Sequence, residues 1–315
     1  MNYETAAEMA QRLGVTTRVV QLWAKEGKLP GAIKQGRDWL IPEGMEKPKK
    51  GEVAHSSQDI SLPLLSRAFV PGTVHVVMEA MAAGDEKILA QAEYYYFTTQ
   101  YEKAVQETEL FFNHKDVVTK ISACLIYAFS NIALGNERRA KLGFACIEEA
   151  LRVEVDLEKL TLDQRAMCLL IGASVDVLMY RKAPDKTLVE YIKYLPRGLQ
   201  VWACCILSQT AYLLGKIEKS IGIAETILAL STKDYPIAMA YMHISAAVSY
   251  MNLKKIEDAK EHIIKGWECA QPDNFIQPFA EHHGLLCGLI EACLKKDYPR
   301  EYDAIIEATN HFVQG

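Results

Sequence analysis

Three polar side chains near the start of the chain have the chemistry of a DNA major-groove contact. Arg18, Gln21 and Lys25 are three and four residues apart, so a helix would carry all three on one face. Arginine pairs with guanine through two hydrogen bonds, glutamine does the same with adenine, and lysine neutralises a phosphate. The pattern predicts a recognition helix, with Thr16 and Thr17 at its start as further DNA contacts.

Two helices joined by a glycine turn would position this face. Thr5 and Glu8 have the spacing of a capping box, which starts a helix at residue 5 or 6. Gly14 supplies a turn, and Thr16 or Thr17 can cap the second helix. The apolar side of the first helix consists of Ala6, Met9, Ala10 and Leu13. The apolar side of the second consists of Val19, Val20 and Trp23.

A short β-hairpin is predicted directly after these helices. Residues 32–41 alternate around Gln35 and Gly36, with Trp39 and Ile41 on one face. Lys34, Gln35 and Arg37 cluster near the tip, where a wing touches the minor groove or the sugar-phosphate backbone. The hairpin therefore adds three predicted DNA contacts to those of the helix.

The phrases LGVTTRVVQLW and EGKLPGAIKQGRDWLIP, in this order, resemble the DNA-binding modules of excisionases and of the MerR class. The resemblance covers about one eighth of the chain. It implies a winged helix-turn-helix that binds double-stranded DNA at residues 1–44. The alternative is a helical hairpin with a purely structural role.

The charge distribution separates this segment from the rest of the chain. Residues 1–50 hold nine Lys and Arg against six Asp and Glu, a net charge of +3, whereas the other 265 residues hold 26 against 34, a net charge of −8. An overall charge of −5 argues against a protein that coats nucleic acid along its length. A single small module should bind weakly, so a homodimer is expected.

Length and composition indicate a protein with a large core. Half of the 315 residues are apolar, and residues 45–61 (EKPKKGEVAHSS at their centre) read as a polar linker. The opening residues lack the pattern of a signal peptide, and apolar stretches fall short of the roughly 20 residues that cross a bilayer. We expect a cytoplasmic protein without membrane contact.

Residues 62–315 read as repeated helix pairs. The phrases TTQYEKA, ALGNERRA, LLGKIEKS and MNLKKIEDA each join one apolar helix to the next and end at 104, 140, 220 and 259, a period of about 40. A degenerate pair at 163–180 and 186–195 fills the middle gap. The fold class predicted is mainly all-α: the winged head, followed by a tetratricopeptide-like superhelix whose concave groove holds a peptide, a small molecule or a protein.

This part of the chain also resembles a known family. AEYYYFTTQYEKAV, YLPRGLQVWACCILSQTAYLLG and DYPIAMAYMHISAAVSYMNLKKIEDAKEHI look like the helical-repeat region of LuxR-type regulators, distantly similar to the sensor part of the MalT class. Those relatives carry a helix-turn-helix after the repeats, where this sequence reads HFVQG. The resemblance implies a sensor attached to a different DNA-binding head.

Other candidate sites are read as structural. The eight cysteines lack CxxC spacing and lie mostly in apolar helical patterns, as buried small hydrophobes do. Residues 94–97 (YYYF) are read mainly as core, with one or two lining the groove. His283 and Cys287 have a four-residue spacing but no second ligand pair, so no metal is predicted. His243 and His262 are read as single core residues.

No phosphate-binding glycine loop, HExxH or nucleophile elbow is found, so neither an enzyme nor a cofactor is expected. The sequence predicts a one-component transcription regulator. Two alternatives remain open: an excisionase-like architectural factor of a mobile element, and an adaptor whose repeats hold a protein partner.

Overall fold

In a computed structural model, the chain forms two compact units, Met1–Asp59 and Ile60–Gly315. The structure describes residues 3–25, 29, 32–35, 38–45, 47, 62–154, 160–178, 186–231 and 234–313. Of the predicted linker at 45–61, only Met45 and Lys47 lie within them. Each unit has its own apolar core.

The first unit, here called the head, packs two helices against a three-stranded antiparallel sheet. The strands are β1 (Tyr3–Thr5), β2 (Ile33–Gln35) and β3 (Asp38–Pro42), and the helices are α1 (Ala6–Leu13) and α2 (Thr17–Lys25). β3 lies between β1 and β2. The predicted hairpin is present, with Gln35 opposite Asp38. The sequence did not predict β1, because a segment of three residues that ends at a helix cap is too short to show a strand pattern.

Local hydrogen bonds set the ends of both helices in the head. The Glu8 carboxylate accepts from the Thr5 amide at 2.7 Å, and the Thr5 hydroxyl accepts from the Glu8 amide at 3.3 Å. α1 ends at Gly14, whose φ of 65° favours glycine. The Thr16 hydroxyl accepts from the Val19 amide at 3.4 Å. The capping box is therefore confirmed, and Thr16 rather than Thr17 caps α2.

The core of the head follows the predicted stripes, but three of their members are only half-buried: Leu13 of α1 and Val19 and Trp23 of α2. Leu13 and Trp23 still pack against the core, and Ala24 is buried in addition to Val20. The buried core side chains are Ala6, Met9, Ala10, Val20, Ala24, Leu29 and Ile41.

The second unit, here called the body, is all-α in the part that the structure describes. Its longer helices are α5 (Asp85–Phe97), α6 (Tyr101–Glu109), α7 (Val117–Ala133), α8 (Glu137–Glu149), α9 (Leu162–Leu178), α11 (Arg197–Leu213), α12 (Ile217–Leu230), α13 (Pro236–Asn252), α14 (Ile256–Ala270) and α17 (Pro299–Val313). The shorter ones are α3 (Pro63–Ser66), α4 (Val74–Ala80), α10 (Lys186–Tyr191), α15 (Gln277–His282) and α16 (Leu289–Leu294). The mainly all-α prediction is confirmed.

In four helix pairs of the body, the two helices are joined by the same kind of turn. The pairs are α5–α6, α7–α8, α11–α12 and α13–α14. Each turn has three residues, and the middle one has a positive φ of 59–72°: Thr99, Gly135, Gly215 and Lys254. A small buried residue lies four positions after the end of each turn, where the second helix packs on the first. These residues are Ala104, Ala140, Ser220 and Ala259.

The degenerate pair predicted between the second and third of these units also forms. α9 contacts α10 and covers most of the predicted first helix. The predicted second helix at 186–195 divides into α10 and a 3-10 turn, Ile192–Tyr194. Residues 179–185 between them lie outside the described part of the chain.

The first helix pair of the body, α5 and α6, contacts α15 near the other end of the chain. The Tyr96 hydroxyl on α5 donates to the Glu281 carboxylate on α15, and Tyr101 on α6 donates to Gln277. Near the start of the body, the Asp273 carboxylate accepts from the amides of Gly72 and Val74 at 2.7 and 3.0 Å. These contacts join the start of the body to its end, and the concave groove predicted from the repeat stays a prediction.

Candidate nucleic-acid interface

The outer face of α2 carries the residues that the sequence assigns to DNA contact. Thr16, Thr17 and Arg18 are exposed, and Gln21 is half-exposed. The burial of Val20 and Ala24 on the opposite side orients this face away from the core of the head. Lys25 ends the helix on the same side by its spacing, but its side chain lies outside the described part of the structure.

A leucine lies in the middle of this polar face. Leu22 is 50% exposed and follows Arg18 by four residues, one turn further along α2. The sequence interpretation did not assign it a role, since a leucine beside Val19, Val20 and Trp23 reads as another core residue. Its exposure gives the face an apolar element that can contact the methyl group of thymine.

The predicted wing contributes one described cation. Lys34 is exposed on β2, opposite Trp39 on β3. Gln35 is described only through its backbone, and Arg37 falls outside the described residues. Asp38, which pairs with Gln35, is exposed at the start of β3, so the tip also carries a negative charge that the sequence interpretation left out.

Two acidic side chains of the head are engaged in internal contacts. Glu4 is 7% exposed and accepts from the Arg12 guanidinium, which also donates to the Met45 carbonyl at 2.8 Å. This hydrogen bond to Glu4 raises the pKa of Arg12. The Glu8 carboxylate caps α1, and the hydrogen bond from the Thr5 backbone lowers its pKa. The Arg12 charge is therefore neutralised within the head, whereas Arg18 projects from it.

These elements define a helix-turn-helix with an attached β-hairpin. Residues 5–44 match the family model described as a helix-turn-helix domain. Comparisons with curated proteins and with solved structures found no match. The head therefore has the architecture of a helix-turn-helix domain, and the 40 matched residues include α1, α2 and the hairpin strands β2 and β3.

The structure changes the interpretation of several residues in the body. His243 and His262, read as single core residues, lie with their Nδ1 atoms 3.0 Å apart, and His262 Nε2 lies 3.0 Å from Glu225. A helix spacing of four does not relate His283 to Cys287, because His283–Leu286 is a 3-10 turn and Cys287 has a φ of 48°. Among the described residues, no group of three His, Cys, Asp or Glu side chains could hold a metal.

The cysteines and the aromatic run largely match their interpretation. Four cysteines are buried, three are half-buried and Cys287 is exposed; all eight are free thiols. Tyr96 and Phe97 are buried while Tyr94 and Tyr95 are half-buried. In the portion that the structure describes, no helix has the length and apolar character needed to cross a membrane.

Proposed function

We propose that the protein is a one-component transcription regulator whose head binds specific sequences of double-stranded DNA. The exposed face of α2 carries this proposal, because its core side is buried in the head and its outer side presents Arg18 and Gln21. In this assignment Arg18, Gln21 and Leu22 read base edges from the major groove. Thr16, Thr17, Lys25, Lys34, Gln35 and Arg37 contact the backbone or the minor groove.

The body is proposed to bind an effector and to join two copies of the chain. Four helix pairs with one shared turn support a tetratricopeptide-like arrangement of the kind found in the sensor region of LuxR-type regulators. In this proposal the protein is cytoplasmic, acts without a cofactor and is not an enzyme. An effector that binds one packing of the helices better than another would shift the dimer geometry and the spacing of the heads.

Two alanine variants of the full-length chain test the DNA-binding assignment. Arg18→Ala removes a base contact. This variant should bind the preferred DNA site more weakly, while its binding to DNA sites that already differ at the base pair contacted by Arg18 should change little. Lys34→Ala removes a phosphate contact, so all sequences should weaken alike and the slope of log K against log salt should decrease by about one. Binding of the two variants is measured on the same DNA set at several salt concentrations.

Arg138→Ala is the matched control for both variants. Arg138 is exposed on α8 of the body, so its loss changes the net charge equally without touching the head. If Arg18→Ala and Lys34→Ala bind DNA as Arg138→Ala does, the assignment of α2 and the wing is wrong.

The genomic DNA that co-precipitates with the full chain separates this function from its alternatives. Fragments from promoters support transcription control. Fragments beside attachment sites, bent on binding, indicate an architectural factor of recombination, and no enriched fragment at all indicates an adaptor.

A further inference from the structure

The body contains a cavity of about 470 Å³ that the predicted DNA contacts do not involve. The first helices of the successive pairs line it: α5, α7, α9, α11 and α13 each contribute at least one side chain, and α15 with the 3-10 turn after it completes the lining. Its volume lies within the range of small-molecule sites in proteins. The cavity lies where a stack of helix pairs would have its concave groove, and the contacts of α5 and α6 with α15 bound it on one side.

Aromatic rings form a large part of the lining of this cavity. Five of them come from four different helices: Tyr96, Phe129, Trp202, Tyr212 and Tyr241. Four of these rings pack in two pairs: Tyr96 is tilted against Phe129 with ring centres 6.1 Å apart, and Trp202 packs edge to face on Tyr241 with ring centres 4.8 Å apart. Such rings offer an apolar surface together with the negative faces that attract cations.

One carboxylate lies among these rings. Glu281 Oε1 accepts from the Tyr96 hydroxyl and from Gln277 Nε2 at 3.0 Å, and Oε2 accepts from the Tyr241 hydroxyl at 2.9 Å. Burial raises the pKa of Tyr96 and of Tyr241 well above the usual value, and the charge of Glu281 raises it further. Both tyrosines therefore keep their protons at neutral pH and donate to Glu281, which is held as an acceptor.

The described lining of the cavity contains no lysine or arginine to balance this carboxylate. The neighbouring His282 contacts other groups through both ring nitrogens. Its Nδ1 lies 2.9 Å from the Pro278 carbonyl oxygen, and its Nε2 lies 3.1 Å from Gln209 Nε2. Hydrogen bonds satisfy Glu281, but no lysine or arginine of the described lining faces it.

We propose that this cavity binds a small organic cation, an amine or quaternary ammonium on an apolar group, with its charge beside Glu281. The aromatic lining takes the apolar group and surrounds the positive charge, while the carboxylate supplies the counter-charge. The proposal deepens the proposed function by naming the class of effector, and it rests on that function only for the ligand's regulatory role.

Three ligands that share one skeleton test the charge preference: phenylbutylamine, phenylbutanol and phenylbutyrate. Binding to the full-length chain is measured by titration calorimetry and by tryptophan fluorescence, without DNA. The amine should bind roughly tenfold or more tightly than the alcohol, a difference of about 1.4 kcal/mol, and the carboxylate most weakly. Equal binding of all three, preference for the carboxylate, or no binding of any would overturn the proposal.

Three variants locate the binding. Glu281→Gln should remove the preference for the amine over the alcohol. Glu225→Gln is the matched control, because Glu225 also accepts from a tyrosine, Tyr250 at 2.8 Å, but does not line the cavity. Ile132→Trp fills the cavity without changing its charge and should abolish binding of the amine and the alcohol.

The proposal is wrong if Glu281→Gln keeps the amine preference or if Ile132→Trp leaves binding intact. Should Glu281→Gln fail to fold, the ligand series on the unchanged chain and the Ile132→Trp variant still decide the question. DNA binding is measured separately, so a chain that binds amines but no DNA refutes the regulator and leaves the cavity assignment standing.

Discussion

Leu22 is a single residue that would change which bases the proposed recognition face can distinguish. Hydrogen-bonding side chains alone distinguish bases by donors and acceptors, but an exposed leucine one turn from Arg18 can also detect the methyl group of thymine. Burying one methyl-sized group is worth about 0.8 kcal/mol, roughly a fourfold change in affinity.

We therefore expect the unchanged protein to lose roughly fourfold in affinity when uracil replaces thymine at one position of its site. Leu22→Ala should show no such loss at any position, as competition binding on a uracil-substituted series would reveal. Leu142→Ala is the matched control, since Leu142 is 51% exposed on α8 and the head does not contain it. A methyl dependence that persists in Leu22→Ala would refute this role.

Glu93 is a buried acid that makes the stability of the body depend on pH. It is 1% exposed, and its two oxygens accept from the amides of Leu64 and Leu65 at 2.7 and 3.1 Å. Burial raises its pKa from 4.5 to about 8, against the lowering effect of the two hydrogen bonds. The start of the body is thus attached to a carboxyl group that holds a proton in the folded state at neutral pH.

The sign of the pH dependence follows from this shift. Between the unfolded pKa of 4.5 and the folded pKa of about 8, unfolding releases a proton, so the free energy of unfolding falls as pH rises. Its contribution is greatest below the unfolded pKa and is lost as the pH rises through the folded pKa. In Glu93→Gln, the free energy of unfolding measured in urea should decline less steeply between about pH 5 and about pH 8.

Glu102→Gln is the control for Glu93→Gln, since Glu102 is exposed on the neighbouring helix α6. It should leave the pH profile unchanged. A profile for Glu93→Gln that declines as steeply as that of the unchanged chain would mean that Glu93 is ionised when folded.

At the scale of the element, the shared turn is what repeats most faithfully along the body. In all four turns the amide of the third residue bonds to a carbonyl five residues earlier at 2.7–3.0 Å, while the residue types differ. Glycine occupies the left-handed position in two turns, and Thr99 and Lys254 occupy it in the others. The four turns therefore share a backbone conformation rather than a residue type.

Gly215→Ala tests the cost of this conformation. Gly215 has a φ of 72°, and an added Cβ would meet no atom within 4 Å, so the expected loss of about 1 kcal/mol in unfolding free energy comes from the backbone alone. Gly222→Ala, within α12 and equally uncrowded, should instead stabilise by roughly 0.5–1 kcal/mol. Chemical denaturation measures both; equal effects would contradict a left-handed turn at Gly215.

At the scale of the whole molecule, we predict that two copies of the proposed DNA-binding head occupy one site. One short helix and one described wing cation offer few contacts, and dimers of such modules place their recognition helices in successive major grooves. We expect footprints of two half-sites whose centres lie about 10 base pairs apart or a multiple of that.

Sedimentation of the protein–DNA complex should give two chains per site. Inserting about five base pairs between the half-sites should weaken binding because it rotates one head to the opposite side of the duplex, whereas inserting about ten should largely restore it. Binding that is indifferent to both insertions would show that one chain acts alone.

Local rules made much of this molecule predictable from its sequence. The capping box at Thr5 and Glu8, the turn at Gly14 and the hairpin at residues 33–42 depend on neighbours within a few residues, and all three are present. The helix pairs of the body follow from helical periodicity in the same way. The sequence did not predict that Leu22 is exposed, because a leucine beside other apolar residues of a helix gives the same pattern whether or not the core buries it.

Tertiary structure alone decided where the ends of the body meet and what they enclose. The contact between Tyr96 and Glu281 joins residues 185 positions apart, and the pairing of His243 with His262 depends on how α13 and α14 face each other. Such contacts result from the sum of small rotations between successive packed helices, which no local pattern encodes. Periodicity determined the helix pairs of this protein, and their accumulated packing enclosed a cavity with a carboxylate among its aromatic rings.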